Sequence, residues 1–128
     1  CYAVVEGIAF IHKFHIDFLI RAGLPATLIR LTGGMAKSPV WTQIFADTMQ
    51  LPVEIVASDE TGAHGVAIVA GIGAGVYESY EDAFARSVKL KAPVLPNPEK
   101  AAFYRDRYAQ WQRLNEHLLR YWDGAGDG

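Results

Sequence analysis

Two adjacent glycines, Gly33 and Gly34, follow a short apolar run, Leu28 to Leu31, and precede a serine–proline pair, Ser38-Pro39. A glycine pair lets the backbone come close to a flat or bulky ligand, because no Cβ intrudes. Serine is a favoured N-cap, its hydroxyl accepting a backbone N–H left free in the first helical turn. Proline suits the next position, where its missing N–H costs nothing. The stretch therefore predicts a strand, a tight glycine turn and a helix. In open α/β sheets, ligands bind where such turns leave the carboxyl ends of strands. Glycine at a βα turn can also serve backbone conformation alone, so the motif by itself leaves both readings open. A phosphate cradle asks for more: several glycines, a lysine aimed at the anion and a hydroxyl for a metal. Lys37 follows the glycines, but the G-x-x-x-x-G-K-S/T spacing is absent, and Lys37 reads as a solvated turn lysine. The helix start at Ser38 would still favour an anion nearby.

Other chemistry is thinly represented. The 128 residues hold one cysteine, Cys1, which excludes an intrachain disulfide and a multi-cysteine metal site. That usage suits a reducing cytoplasm. His12 and His15 are three apart with no third ligand near in sequence, so they do not make a metal site. A net charge of −2 and a pI near 6.1 give no electrostatic case for nucleic acid or an anionic membrane. The apolar run Thr61 to Tyr77 is too short and too rich in glycine to span a bilayer. A dinucleotide fold would need G-x-G-x-x-G opening a helix, whereas Gly71, Gly73 and Gly75 are spaced G-x-G-x-G.

The elements that must position the turn follow from periodicity and caps. Residues 2 to 22 predict a helix, with Val4, Ile8, Ile11, His15 and Phe18 on one face, stopped by Gly23 and Pro25. Strands are expected at Leu28 to Leu31 and Val53 to Val56, with a helix from Pro39 to about Gln50 between them. Thr61 to about Gly75 is a third helix, in which Gly65 with Ala63, Ala67 and Ala70 suggests close approach to a neighbour and the later glycines suggest fraying. Ser79 caps a short helix over Tyr80 to Ser87. Residues 88 to 97 connect to a final helix started by Asn97-Pro98 and ending near Trp122, with Tyr104, Tyr108, Trp111, Leu118 and Trp122 on one face. Residues 123 to 128 read as a disordered tail. Alternating helices and strands imply an α/β domain with a parallel or mixed sheet. With 51% hydrophobic residues the chain can bury a sizeable core, as one domain or part of one.

The order of residues from Gly33 to Ala67 resembles the C-terminal part of the FGGY family of carbohydrate kinases. The resemblance rests on Gly33, Gly34, Ser38, Trp41, Gln43, Ala46, Asp47, Pro52, Val53, Glu60, Gly65 and Ala67, and extends from about Val5 to about Tyr108. It implies an excised portion, over residues 1–122, of the second, nucleotide-binding domain of an ATP-dependent kinase. The fold implied is a partial ribonuclease-H-like domain of the actin, Hsp70 and hexokinase type, with a short sheet flanked by helices and a long C-terminal helix. The reaction implied is transfer of the γ-phosphoryl group of ATP to a hydroxyl of a pentulose such as xylulose, a related ketose or a polyol. Gly33, Gly34, Met35, Ala36 and Ser38 would then bind the nucleotide, with Gly34 against the base or ribose and Met35 and Ala36 as its apolar wall. ATP and Mg²⁺ would be held mainly outside this segment, and the sugar by a preceding domain. The family's phosphate hairpins and catalytic aspartate have no counterpart here: Asp17, Asp47, Asp59, Asp82 and Asp106 lack the Asp-x-Gly-Thr context. No catalytic residue and no metal ligand is therefore assigned, and the segment alone should be inactive. Asp47 matches a family position with a structural role, whereas His64 and Val66 depart from the family pattern. A cytoplasmic enzyme, with a homodimer as one form, is the accompanying expectation. The rival reading is a stand-alone interaction module that docks a partner through its aromatic final helix.

Overall fold

The computed structural model describes residues 2–58 and 60–125. Its elements run, in order, α1 (Tyr2–Arg21), β1 (Ile29–Leu31), a 3₁₀ turn (Gly34–Lys37), α2 (Pro39–Met49), β2 (Val53–Ile55), α3 (Thr61–Gly73), α4 (Tyr80–Ser87), a second 3₁₀ turn (Pro98–Lys100) and α5 (Ala101–Ala125). β1 and β2 are parallel, with Ile29 opposite Val53, Arg30 opposite Glu54 and Leu31 opposite Ile55. α2 is the crossover between them.

The other edge of β2 is also paired. Val53 exchanges two backbone hydrogen bonds of 2.9 Å with Val94, the Lys91 N–H donates to the Ile55 carbonyl, and the Ala57 N–H donates to the Lys89 carbonyl. The expected connection over residues 88 to 97 is thus an antiparallel return along β2. Pro93 and Pro96 lie in it, and proline is tolerated at a sheet edge because no outward partner needs its N–H.

Alternation along the strands sorts the two faces. Leu31, Val53 and Ile55 are buried on one face with Ile44, Phe45, Ala46 and Met49 of α2, Val5, Ala9 and Phe10 of α1, and Tyr104 and Tyr108 of α5. Arg30 and Glu54 pair across the strands at 2.8 Å, and the Arg30 guanidinium lies 5.0 Å from the Phe84 ring centroid. That face looks towards α4.

The caps form as the residues dictate. Ser38, Ser79 and Asn97 each accept a hydrogen bond from the third or second following N–H. Gly23 takes φ 88° and closes α1, the Leu24 N–H reaching back to the Leu19 carbonyl. Gln50 ends α2 at φ 55°, its side chain donating to the Asp47 carbonyl at 2.7 Å.

Four expectations change. The buried face of α1 carries Val5, Glu6, Ala9 and Phe10, whereas Val4, Ile11 and Phe18 are exposed. α1 is apolar around much of its circumference, so periodicity alone does not choose the inward stripe. α3 has no buried residue, and a Cβ on Gly65 would meet nothing within 4 Å, so the small-residue stripe marks no close neighbour. Its later glycines do not mark fraying. A Cβ on Gly71 would sit 2.7 Å from the Tyr77 ring, and Gly75 (φ 75°) ends the helix with the Val76 N–H on the Gly71 carbonyl. Finally, α5 extends to Ala125, beyond Trp122; the rest of the expected tail, residues 126–128, lies outside the described residues. Of the aromatic stripe on α5, Tyr104 and Tyr108 are buried, and Leu118 and Trp122 are exposed.

Asp47 is 1% exposed and ties α2 to the return along β2. Its Oδ1 accepts from the Asn97 backbone N–H at 2.7 Å and from Gln43 Nε2 at 2.8 Å, while Gln43 also donates to the Leu95 carbonyl. Lys100 Nζ lies 3.9 Å from Oδ2. Asp47→Ala should lower stability in urea by about 3 kcal/mol, because two donors lose their acceptor inside the protein. Asp47→Asn, which keeps an acceptor oxygen, should cost less than half of that; equal losses would place the effect in the charge. Burial pushes the Tyr108 phenol well above its ordinary range, and the Asp17 charge adds to the shift. The folded state therefore keeps a proton that the unfolded chain loses above about pH 10. Stability should fall as pH rises through that point, and Tyr108→Phe should flatten the decline in alkaline urea titrations.

Candidate functional site

β1 delivers the chain to Gly33 at the carboxyl end of the sheet. Gly33 has φ 82° and ψ −163°, a conformation open in practice to glycine alone. The 3₁₀ turn follows, with the Ala36 N–H donating to the Gly33 carbonyl and the Ser38 N–H to the Met35 carbonyl. Ser38 then starts α2, its Oγ accepting from the Trp41 N–H.

A cavity of about 210 Å³ opens at the ends of both parallel strands. Gly33, Ala36 and Lys37 form one wall, residues 55 to 58 at the end of β2 form the floor, and Lys91 stands at the far side. The volume lies below the usual range of a small-molecule pocket, about 300–1,000 Å³, and fits part of a ligand.

The five residues expected at a ligand do not share one position. Gly33 and Ala36 line the cavity. Met35 is half-buried and packs on the core, because the 3₁₀ turn carries its side chain inward. Ser38 is engaged as the cap of α2, and that bond leaves its hydroxyl proton unused. Gly34 is exposed, lies outside the φ-positive set, and a Cβ there would meet nothing within 4 Å. Neither its backbone nor its packing requires glycine. The floor, Ile55 to Ser58, follows from the rule that sites straddle the ends of neighbouring parallel strands, once β2 is placed beside β1. Lys91 carries no comparable signal, since nothing in its local sequence announces the antiparallel return.

His64 is a paired side chain. Its Nε2 lies 3.0 Å from Ser87 Oγ, and Ser87 spends its proton on the Ala83 carbonyl at 2.7 Å. The ring nitrogen is therefore the donor, which joins α3 to α4. The contact borders a second cavity of about 170 Å³ with Thr32, Val56 and Phe84.

Among the described residues, no three His, Cys, Asp or Glu side chains cluster as metal ligands, and no helix is long and apolar enough to cross a membrane. The described aspartates have structural engagements: Asp17 with Lys13, Asp82 with Arg86 and the Glu78 N–H, Asp106 beside Arg105, and Asp47 as above. Asp59 lies outside the described residues.

A parallel pair of strands with a glycine turn at its carboxyl end and helices packed around it defines part of an α/β domain with its site at the strand ends. The model of the FGGY family of carbohydrate kinases, C-terminal domain, matches residues 1–74, and the chain belongs to that family. An L-xylulose/3-keto-L-gulonate kinase of Escherichia coli K12 is 34% identical over 115 residues, 88% of this chain and 22% of the relative. An autoinducer-2 kinase of the same strain is 38% identical over 95 residues, 74% of this chain and 18% of the relative. The chain thus spans about a fifth of the length of the curated relatives it matches. A xylulose kinase structure from Rhodospirillum rubrum superposes with a TM-score of 0.78 at 30% identity, covering 93% of this chain and 24% of that one. A ligand-bound xylulose kinase from Lactobacillus acidophilus gives 0.81 at 23% identity over 91% of this chain and 24% of that one, a likeness of fold. The fold is accordingly the partial ribonuclease-H-like kinase domain that the family resemblance implies.

The two glycines should separate on substitution. Gly33→Ala should cost about 1–3 kcal/mol of stability, because alanine is strained at that φ and ψ. Gly34→Ala should change stability by less than about 0.5 kcal/mol, as a surface substitution without strain. Urea midpoints of the two variants check this.

Proposed function

We propose that the whole protein is an ATP-dependent sugar kinase, and that this segment supplies the turn against which adenosine lies. The carrying observation is Gly34: a glycine that the fold does not need, with open space on its Cβ side, next to one that the turn requires. A bound group approaching closely from outside the segment accounts for it. Ala36 and the aliphatic ends of β2 supply apolar surface for a base, and Ser38 can donate a hydrogen bond to orient it.

Family membership and named sugar-kinase relatives support transfer of the γ-phosphoryl group of ATP to a hydroxyl of a pentulose, a related ketose or a polyol. Phosphoryl transfer depends on positioning and on charge stabilisation around the γ-phosphoryl group. In this reading Mg²⁺ and the catalytic base are held by other parts of the protein. The reading further takes the protein as a cytoplasmic enzyme whose partners are ATP or ADP and a sugar, without nucleic acid or membrane, and with self-association as a homodimer. The alternative of an interaction module draws support from the exposed end of α5, where Leu118, Leu119, Tyr121 and Trp122 are bare. It leaves the glycine turn unexplained.

Gly34→Arg in the full-length protein should raise the apparent KM for ATP at least tenfold and leave the KM for the sugar nearly unchanged. Steady-state kinetics with each substrate varied in turn check this, and an unaltered ATP dependence would refute the adenosine assignment.

A further inference from the structure

Lys91 lines the cavity from the side opposite the glycine turn. β2 lies between them, bonded to β1 on one edge and to the return segment on the other. Strands are spaced about 4.8 Å apart, so the Gly33 turn and the Lys91 backbone are separated by roughly 10 Å. A nucleoside with its 5′-phosphates can bridge such a span, and a lysine stem shortens it further.

The backbone at Lys91 is fixed. Its N–H donates to the Ile55 carbonyl at 2.9 Å, in the strand whose end floors the cavity. Downstream, the return is held by the Val53–Val94 pair and by Asp47 and Gln43 at Asn97 and Leu95. Upstream, the Val88 N–H closes α4 on the Phe84 carbonyl. The side chain differs from this backbone: it is exposed, and among the described residues it makes no ion pair and no side-chain hydrogen bond. A cation with a fixed origin, a flexible reach and no side-chain partner among the described residues borders a cavity that Ser58 also lines. An ammonium of this kind serves as a point charge for phosphate oxygens.

We propose that Lys91 is a nucleotide-binding residue, its ammonium meeting the phosphate chain of ATP while adenosine lies on Gly33 and Gly34. The proposal rests on the adenosine reading above and adds the residue that would hold the anionic part of the same ligand.

Calorimetric titration of the full-length protein with ADP and with adenosine tests it. Lys91→Met keeps the stem and the main-chain bond to Ile55. It should weaken ADP binding about tenfold, leave adenosine binding within twofold and reduce the salt dependence of ADP binding. Lys91→Arg should retain ADP binding within about threefold. Unchanged ADP binding in Lys91→Met overturns the proposal. So do equal losses for ADP and adenosine, which would assign Lys91 to the shape of the pocket. Gly34→Arg in the same titrations reports on the underlying reading separately: a variant that still binds adenosine normally overturns the adenosine placement, whatever Lys91 does.

Discussion

A strand of three residues cannot hold its place by its own hydrogen bonds, and β2 is such a strand. It is fixed because both edges are used, by β1 in parallel and by the return of residues 89–94 in antiparallel sense. The return is itself short and interrupted by Pro93, so its far end needs an anchor. Asp47 is that anchor. Its carboxylate is removed from water, which makes each hydrogen bond to it matter more, and it accepts from a side chain on its own helix and a backbone N–H of the return. α2, the end of the return and the 3₁₀ turn before α5 are thereby joined at one buried group. The position of the cavity follows, since its floor is the end of β2 and its two sides are the turn after β1 and the return.

The two faces of this small sheet are unlike. One is covered by α1, α2 and α5 and contains the core; the other carries the Arg30–Glu54 pair and is met by α4, while α3 buries none of its residues. α3 is nevertheless apolar along much of its length, with Val66 and Val69 more than half exposed. The pattern accords with a segment that spans about a fifth of its relatives' length. The cavity shows the same character: it has a floor and two sides and is small for a whole nucleotide.

Within the glycine turn, neighbouring residues of one type have different reasons to be there. Gly33 is set by backbone conformation, at φ 82° and ψ −163°. Gly34 lies outside the positive-φ set and has open surroundings, so neither strain nor packing within the segment requires it. The two lysines at the cavity come from different parts of the chain: Lys37 belongs to the turn itself, whereas Lys91 lines the same space from more than fifty residues later.

Local chemistry in the sequence determined the strand–turn–helix unit, the caps at Ser38, Ser79 and Asn97, the stop at Gly23 and the family, because each depends on residues within a few positions or on a fixed order of residues. The candidate site was legible only as a turn: the glycine pair and its place at a strand end were visible, and Gly33 and Ala36 line a cavity there. Contacts between distant residues were not. Which face of α1 turns inward, that Met35 points to the core, that α3 lies bare and that α5 buries only the first part of its aromatic stripe were all decided by tertiary structure. Periodicity records that a face is apolar, and the partner that covers it is chosen by packing across the fold. The return along β2 is the clearest instance: residues 89–94 have no strong strand pattern, and they pair only because β2 offers an open edge and Asp47 holds their far end. Lys91 enters the site by that route, through a long-range pairing that no local pattern encodes.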